Sequence, residues 1–356
     1  MAHNLMERNG TIAMFCVGDR DAAWHKLGQR TPIAVSWREA MTLAGLDWTV
    51  DKQNLYDSTG KVLATFGIFR KDDNAFLGSV GERYTPIQNV QAFQFVDALL
   101  ESADGSHYDS AGALGNGERI WTAAKVPFDF ETVPGDALQT YLMFTTSHDG
   151  SGSATAKLTT VRVVCQNTLS SALSQTGEFV RVKHTRNAAD RMRSAADAMR
   201  GVGQSVSELK EKLRRLADVR VTRESISAVL DRLFPKPKDE KTSTTRRENI
   251  LADVLQCYER NDGDKIPGIR GTGYNLLNAV TEYTDHYRTA RGGNMVRDRA
   301  DAATFGSGET LKTEALEVIL EQTANGPAVS RTFIPASKGS TGSSLLDAVV
   351  ASTSRN

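Results

Sequence analysis

The sequence predicts an α+β fold: an antiparallel curved sheet with packed helices, followed by an all-helical C-terminal half. Three observations carry this. Strand-like segments crowd residues 61–185, and their turn-rich connections favour antiparallel neighbours. After residue 186 the strand signal stops. Apolar residues then recur at alternating spacings of three and four, the period of packed helices. The expected organisation is a sheet domain over 1–187, a helical domain over 188–324 and a low-complexity, mobile tail over 325–356.

The elements follow in order. "KVLATFGIFR" (61–70) comes after the turn "DSTG" and reads as the returning strand of a hairpin. "AFLGSVGERY" is a second short strand broken by glycine. "NVQAFQFVDALLES" (89–102) sets Phe93, Val96, Leu99 and Leu100 on one side of an amphipathic helix. "ERIWTAAKVP" (118–127), "LQTYLMFTTSH" (138–148), "TAKLTTVRVVC" (155–165) and "EFVRVKHT" (178–185) read as strands. The stretch from Arg186 to Val219 carries Met192, Ala195, Met199, Val202, Val206, Leu209, Leu213 and Leu216 as a heptad seam suited to a helical partner. Within it Gly201 and Gly203 each cost about 1 kcal/mol relative to alanine, which predicts a kink or two helices. Met199, Val206, Leu209, Leu213 and Leu216 are the candidate oligomerisation residues. "TRESISAVLDRLF" is a helix with Thr222 as N-cap and Ser225 in the capping-box position. The polar, proline-bearing "PKPKDEKTST" (235–244) reads as a linker. "TTRRENILADVLQCYER", "TGYNLLNAVTEYTDHYR" and "LKTEALEVILEQTA" (311–324) read as three more helices.

No apolar run is long enough to cross a bilayer, and "MAHNLMERNG" lacks the pattern of a secretory signal. Cys16, Cys165 and Cys257 are dispersed and odd in number, which argues against a disulfide framework. These features predict a cytoplasmic protein without a membrane partner. Net charge is zero but unevenly spread. Residues 1–150 hold 12 Lys/Arg against 19 Asp/Glu, whereas residues 151–235 hold 15 against 8. A basic middle segment is a candidate surface for a polyanion; mutual neutralisation of the acidic and basic segments is the competing account.

Lys157, Arg162, Arg181, Lys183 and Arg186 lie on or just after two of the strands, with Arg191 and Arg193 opening the next helix. Alternate strand residues share a face, so Arg181 and Lys183 point the same way, and Arg162 joins them if the strands are neighbours. Such a row tracks a phosphate backbone. Trp121 and Tyr141, on nearby strands, are candidates for base stacking. A solvated sheet face with core aromatics accounts for the same residues. At the junction "TTVRVVCQNTLSSAL" (159–173), Asn167 suits the N-cap of a helix over "TLSSALS", and with Gln166 it would frame an anion pocket. "TSHDGSGS" (146–153) could cradle a phosphate on converging glycine N–H groups, though it lacks the ending of a P-loop, and a type I′ turn at Asp149-Gly150 accounts for it without function. Cys165 with His148 or His184 and Asp149 forms the one nucleophile set, opposed by the apolar phase of Cys165 on its strand. Glu282 and His286 are two potential ligands without a third, so no metal site and no cofactor are expected. No catalytic residue is assigned.

Several stretches together resemble the phage/plasmid-like protein family of unknown function: "AAWHKLGQRTP" with its W-H-x-L-G, "AGLDWTV", "GERYTPIQN", "TSHDGSGSATAKLTTVRVVCQNTL" with V-R-V-V-C-Q-N-T-L, "VRVKHTRN", "TGYNLLNAVTEYTDHYR" and "TFGSGETLKTEALEVI". The resemblance implies a mobile-element origin and a bacterial host cytoplasm, and supplies no mechanism. Charge, seam and resemblance together lead to a non-enzymatic protein that binds single-stranded nucleic acid, DNA above all. It would act in annealing during recombination or replication, as a homo-oligomeric ring or filament. A host-factor-binding interaction protein, or a cysteine-dependent hydrolase, are the alternatives.

Overall fold

The computed structural model describes residues 5–8, 10–18, 28–101, 103–162, 168–170, 179–198, 202–237, 239, 243–260, 266, 268–288 and 307–324. The described residues form thirteen strands and eight α-helices. Contacts divide the chain into two compact units that interleave in sequence. Unit 1 is Met1–Asp129, Gln139–Thr159 and Leu173–Ser205; unit 2 is Phe130–Leu138, Thr160–Ala172 and Val206–Asn356.

A ribbon of β1 (Glu7–Arg8) and β2 (Thr11–Ile12) opens the chain. The main sheet is built from β3 (Met14–Val17), β4 (Gln29–Thr31), β8 (His107–Leu114), β9 (Arg119–Glu131), β10 (Ala137–Ser147), β11 (Ala154–Arg162), β12 (Thr168–Ser170) and β13 (Phe179–Val182). Its order is β12-β11-β10-β9-β8-β3-β4, with β13 pairing β11 off that path. A separate antiparallel sheet holds β5 (Val50–Tyr56), β6 (Val62–Arg70) and β7 (Phe76–Val80) in sequence order.

The expected all-antiparallel sheet is therefore corrected to a mixed one. β3 and β4 run parallel, with Phe15 opposite Gln29 and Val17 opposite Thr31. A parallel neighbour needs a crossover connection in place of a hairpin turn. Gln29-Arg30-Thr31 offers no apolar alternation by which a strand is recognised.

In unit 1, α1 (Trp37–Leu43) and α2 (Asn89–Leu100) pack together, and α3 (Ala188–Ala198) packs on α2 and β13. The α2 face read from the sequence is the buried one: Phe93, Val96, Leu99 and Leu100 are all covered, with Asn89 and Phe95 beside them. Phe93 lies against Tyr108 at 5.7 Å and Phe95 against Phe144 at 5.8 Å.

Unit 2 holds α4 (Val202–Ala217) from Val206 on, α5 (Arg223–Leu233), α6 (Thr245–Arg260), α7 (Gly273–Glu282) with a π-helical turn (Tyr283–Tyr287), and α8 (Ser307–Thr323). α7 packs against α6 and α8, and α8 against α5. The expectation of an all-helical C-terminal half does not hold. β12 packs on α8 inside this unit, and the extended connectors pair at Arg220 and Thr272. Extended backbone buried beside helices must find partners for its N–H and C=O groups. Val221 N and Gly273 N meet them on Gly271 O and Val219 O.

Candidate nucleic-acid interface

β13 carries the candidate cations at the margin of the main sheet. Its register sets Arg181 opposite Thr155 and Val182 opposite Ala154. Val180 and Val182 are buried, while Arg181 and Lys183 are exposed, so the two cations share the outward side. The chain then turns inward at His184. Thr85 N donates to His184 O at 3.1 Å, and Ala188 N to Thr185 O at 2.8 Å. This turn launches α3 with Arg186, Arg191 and Arg193 exposed; Arg193 pairs with Asp190.

Lys157 departs from the expected row. Its side chain is 3% exposed, because β11 is covered on both sides from Ala154 to Val161. Arg162 ends β11, and its side chain, like Gln166, Asn167 and Cys165, lies outside the described residues. Thr168–Ser170 forms a strand, so the helix expected immediately after Asn167 does not start there. A short Thr-Leu-Ser segment suits either state, and packing on α8 decides it.

Trp121 and Tyr141 are corrected from stacking residues to core. Both are buried. The Trp121 ring lies across Gly112, its cross-strand partner, where an added Cβ would come within 3.2 Å of the indole. Tyr141 donates to Gln139 Oε1 at 3.0 Å and sits beneath the Lys125 ammonium.

The heptad seam is likewise used within the protomer. Val206, Leu209, Leu213 and Leu216 are buried in unit 2, and Met199 lies outside the described residues. Leu216 packs over Gly273 at the start of α7, and Lys212 reaches Glu317 on α8 at 2.9 Å. A seam repeats identically whether its partner is in the same chain or another.

The loop "TSHDGSGS" closes on itself. Ser151 N donates to Asp149 Oδ1 at 2.8 Å and Gly152 N to Ser147 Oγ at 2.8 Å. These two N–H groups are thus engaged within the loop. Asp149 does not adopt positive φ, so the expected type I′ turn is replaced by an Asx-closed turn with Gly150 at φ 79°.

The two histidines hold structural positions that sequence reasoning missed. Asn89 Nδ2 donates to the carbonyls of Leu46 (2.9 Å) and Trp48 (3.2 Å). Its Oδ1 must therefore accept, and His148 Nε2 donates to it at 2.9 Å. Trp48 meets the His148 ring edge-on at 5.3 Å. His184 stacks on Tyr84 at 4.8 Å, with Nε2 3.0 Å from Thr146 Oγ1. Tyr84 donates to Ser147 O at 2.9 Å. Burial pushes the His148 pKa down to about 3, aided by His184, and burial pushes His184 down to about 4. Burial thus favours the neutral form of both imidazoles, and each is engaged through Nε2. Glu282, proposed as half of a ligand pair, is bound to Arg260 at 3.2 Å.

Among the described residues no three His, Cys, Asp or Glu side chains gather as a metal site, and no helix is long and apolar enough to cross a membrane. Comparison with curated proteins and with solved structures returns no match. The sequence model of a domain of unknown function, DUF932, matches residues 76–304, from β7 through the π-helical turn after α7, and takes in both the β13 cations and the histidine network. The chain belongs to the DUF932 family.

Proposed function

We propose that this is a non-enzymatic nucleic-acid-binding protein of a phage or plasmid, one that holds single-stranded DNA by its phosphates during annealing in recombination or replication. The observation that supports the reading is the exposed cation row of Arg181, Lys183 and Arg186 running from a marginal strand into the start of α3. The basic balance of residues 151–235, 15 Lys/Arg against 8 Asp/Glu, agrees with that reading at the level of sequence. With Trp121 and Tyr141 buried, no stacking is asked of them. Binding is then dominated by the backbone, tolerant of sequence, and leaves bases free to pair.

Counterion release makes the test sharp. For single strands, log K falls with log salt by about 0.7 per phosphate neutralised. Titration of the full chain with a single-stranded oligonucleotide over a salt series is expected to give a slope of about −2, as for three contacts. The triple variant R181E/K183E/R186E is expected to lose that salt-sensitive binding while keeping its melting temperature. A wild-type protein that ignores the oligonucleotide at low salt, or a variant that binds as tightly as wild type, rejects the reading.

A further inference from the structure

The strand that carries the cation row is held by its ladder over only part of the row. β13 pairs with β11 from Phe179 to Val182, which fixes Arg181. Lys183 and Arg186 lie past the last pair. The turn that bears them closes on its own backbone: Thr185 N donates to Lys183 O at 2.9 Å and Ala188 N to Thr185 O at 2.8 Å. One tie of this turn to the body of unit 1 runs through His184, which is buried between the two exposed cations. His184 O accepts from Thr85 N at 3.1 Å, its ring stacks on Tyr84 at 4.8 Å, and its Nε2 lies 3.0 Å from Thr146 Oγ1. Two of these contacts come from the segment 81–85, which belongs to no strand or helix. Such a segment holds its shape only as well as its own anchors do.

We infer that Lys52 and Tyr84 are positioning residues for the phosphate-binding row: they fix the segment 81–85, and the segment fixes His184 and the cations on either side of it. The inference rests on the nucleic-acid reading and deepens it. Lys52, on β5, donates from Nζ to the carbonyls of Gly81 (3.1 Å), Glu82 (2.6 Å) and Tyr84 (2.9 Å). An ammonium has three N–H donors, so all three are used on this one turn. The same nitrogen lies 4.3 Å from the centre of the Phe66 ring. Lys52 therefore keeps no donor for a phosphate, and it acts on binding through the segment it holds. Tyr84 fastens the other end. Its hydroxyl donates to Ser147 O at 2.9 Å while its ring lies against His184. Pro86 biases the residue before it toward extended backbone, which suits the reach of Thr85 N to His184 O. Cations held in advance at fixed spacing avoid part of the ordering cost that binding a strand otherwise carries.

The test separates positioning from contact. The full chain is titrated with a single-stranded oligonucleotide over a salt series, and amide exchange at Thr185 and Ala188 is followed without nucleic acid. Lys52→Met keeps the aliphatic stem and removes the three donors. Gly81 and Glu82 are exposed, so water takes over their carbonyls and the variant is expected to stay folded. It is expected to speed exchange at both amides and to weaken binding about tenfold at every salt concentration. The slope against log salt is expected to stay as in wild type, because no phosphate contact is removed. Tyr84→Ala is expected to behave alike, whereas Tyr84→Phe, which keeps the ring on His184, is expected to stay within about twofold of wild type. A slope shallower by about 0.7 in Lys52→Met makes Lys52 a phosphate ligand and overturns the positioning role. Unaltered exchange, or faster exchange with unaltered affinity, overturns it too and leaves the nucleic-acid reading intact. A wild-type chain that ignores the oligonucleotide rejects that reading and the positioning role together.

Discussion

The two compact units each bury a polar cluster, and the two clusters differ in kind. Unit 1 encloses neutral groups: His148, His184, Asn89 and Tyr84, linked by hydrogen bonds and ring contacts. Unit 2 encloses a charged pair. Lys312 on α8 is 0% exposed, and its Nζ lies 2.7 Å from Asp285 Oδ1 in the π-helical turn. Such a turn adds one residue to the regular helical repeat and re-aims the side chains that follow. Thr281 and Thr284 bond back to Leu277 O and Val280 O along the same run. The contrast teaches where each unit is vulnerable. A neutral buried network fails when protons are forced on it, and a buried ion pair fails when one partner is deleted.

Acid therefore strikes unit 1 hardest. An unfolded imidazole takes up its proton near pH 6.5, while the folded ones resist until about 4 for His184 and about 3 for His148. Across that window unfolding binds protons, so the contribution is whole above pH 7 and is lost as pH falls. Each histidine removes about 1.4 kcal/mol per pH unit, so the pair costs about 5 kcal/mol by pH 4.5. Asp149 beside them opposes the shift but does not cancel it. All four tryptophans, Trp24, Trp37, Trp48 and Trp121, belong to unit 1, so their fluorescence isolates its transition. His184→Phe, which preserves a ring against Tyr84, is expected to remove about half of the pH slope. An unchanged slope would show that His184 is already charged in the fold.

Unit 2 answers to substitution instead. Lys312→Ala removes the ammonium that pairs with the buried Asp285 carboxylate, which is expected to cost about 3–5 kcal/mol. The double variant Lys312→Met with Asp285→Leu removes both charges at similar volume and is expected to fall within about 1 kcal/mol of wild type or to exceed it. Urea unfolding followed by helical ellipticity measures both. If the double variant is as damaged as the single one, the pair holds the π-helical turn in shape rather than merely neutralising itself.

How much of this was legible in the sequence follows the same physical divide. Strands β6, β9, β10, β11 and β13 were readable because β-branched and aromatic runs lie between turn residues. The faces of β11 were not. Burial is continuous from Ala154 to Val161, so alternation carries no information there and does not distinguish Lys157 from an outward cation. The same double covering hides Trp121 and Tyr141 in the core. β4 was invisible because Gln29–Thr31 is a strand by pairing and not by composition. The histidine network could not be seen because Asn89, which fixes His148, is 59 residues away. Of the candidate interface, Arg181 and Lys183 were legible because a single exposed side on a marginal strand restores the period of two.

The mildest contrast between the units lies at their helix caps, where local sequence is enough. Thr222 Oγ1 accepts from Ser225 N at 3.2 Å, and Ser225 Oγ accepts from Thr222 N at 2.8 Å, the reciprocal pair expected from "TRES". In unit 1, Ser36 Oγ accepts from Glu39 N at 3.4 Å while Ser36 N donates to Glu39 Oε2 at 2.9 Å. The chemistry is alike, but the helices differ. α5 buries Ile226, Val229, Leu230 and Leu233, whereas α1 buries Ala40 alone. A helix anchored along its length cannot fray without dragging its unit with it, so loss of its cap is felt globally. Thr222→Ala is thus expected to lower unit 2 stability by about 1 kcal/mol in the ellipticity transition. Ser36→Ala is expected to leave the midpoint of unit 1 nearly unmoved and to speed amide exchange only around Trp37, the first residue of α1. Equal midpoint shifts in the two variants would mean that α1 is as cooperatively tied to its unit as α5 is, despite burying one residue.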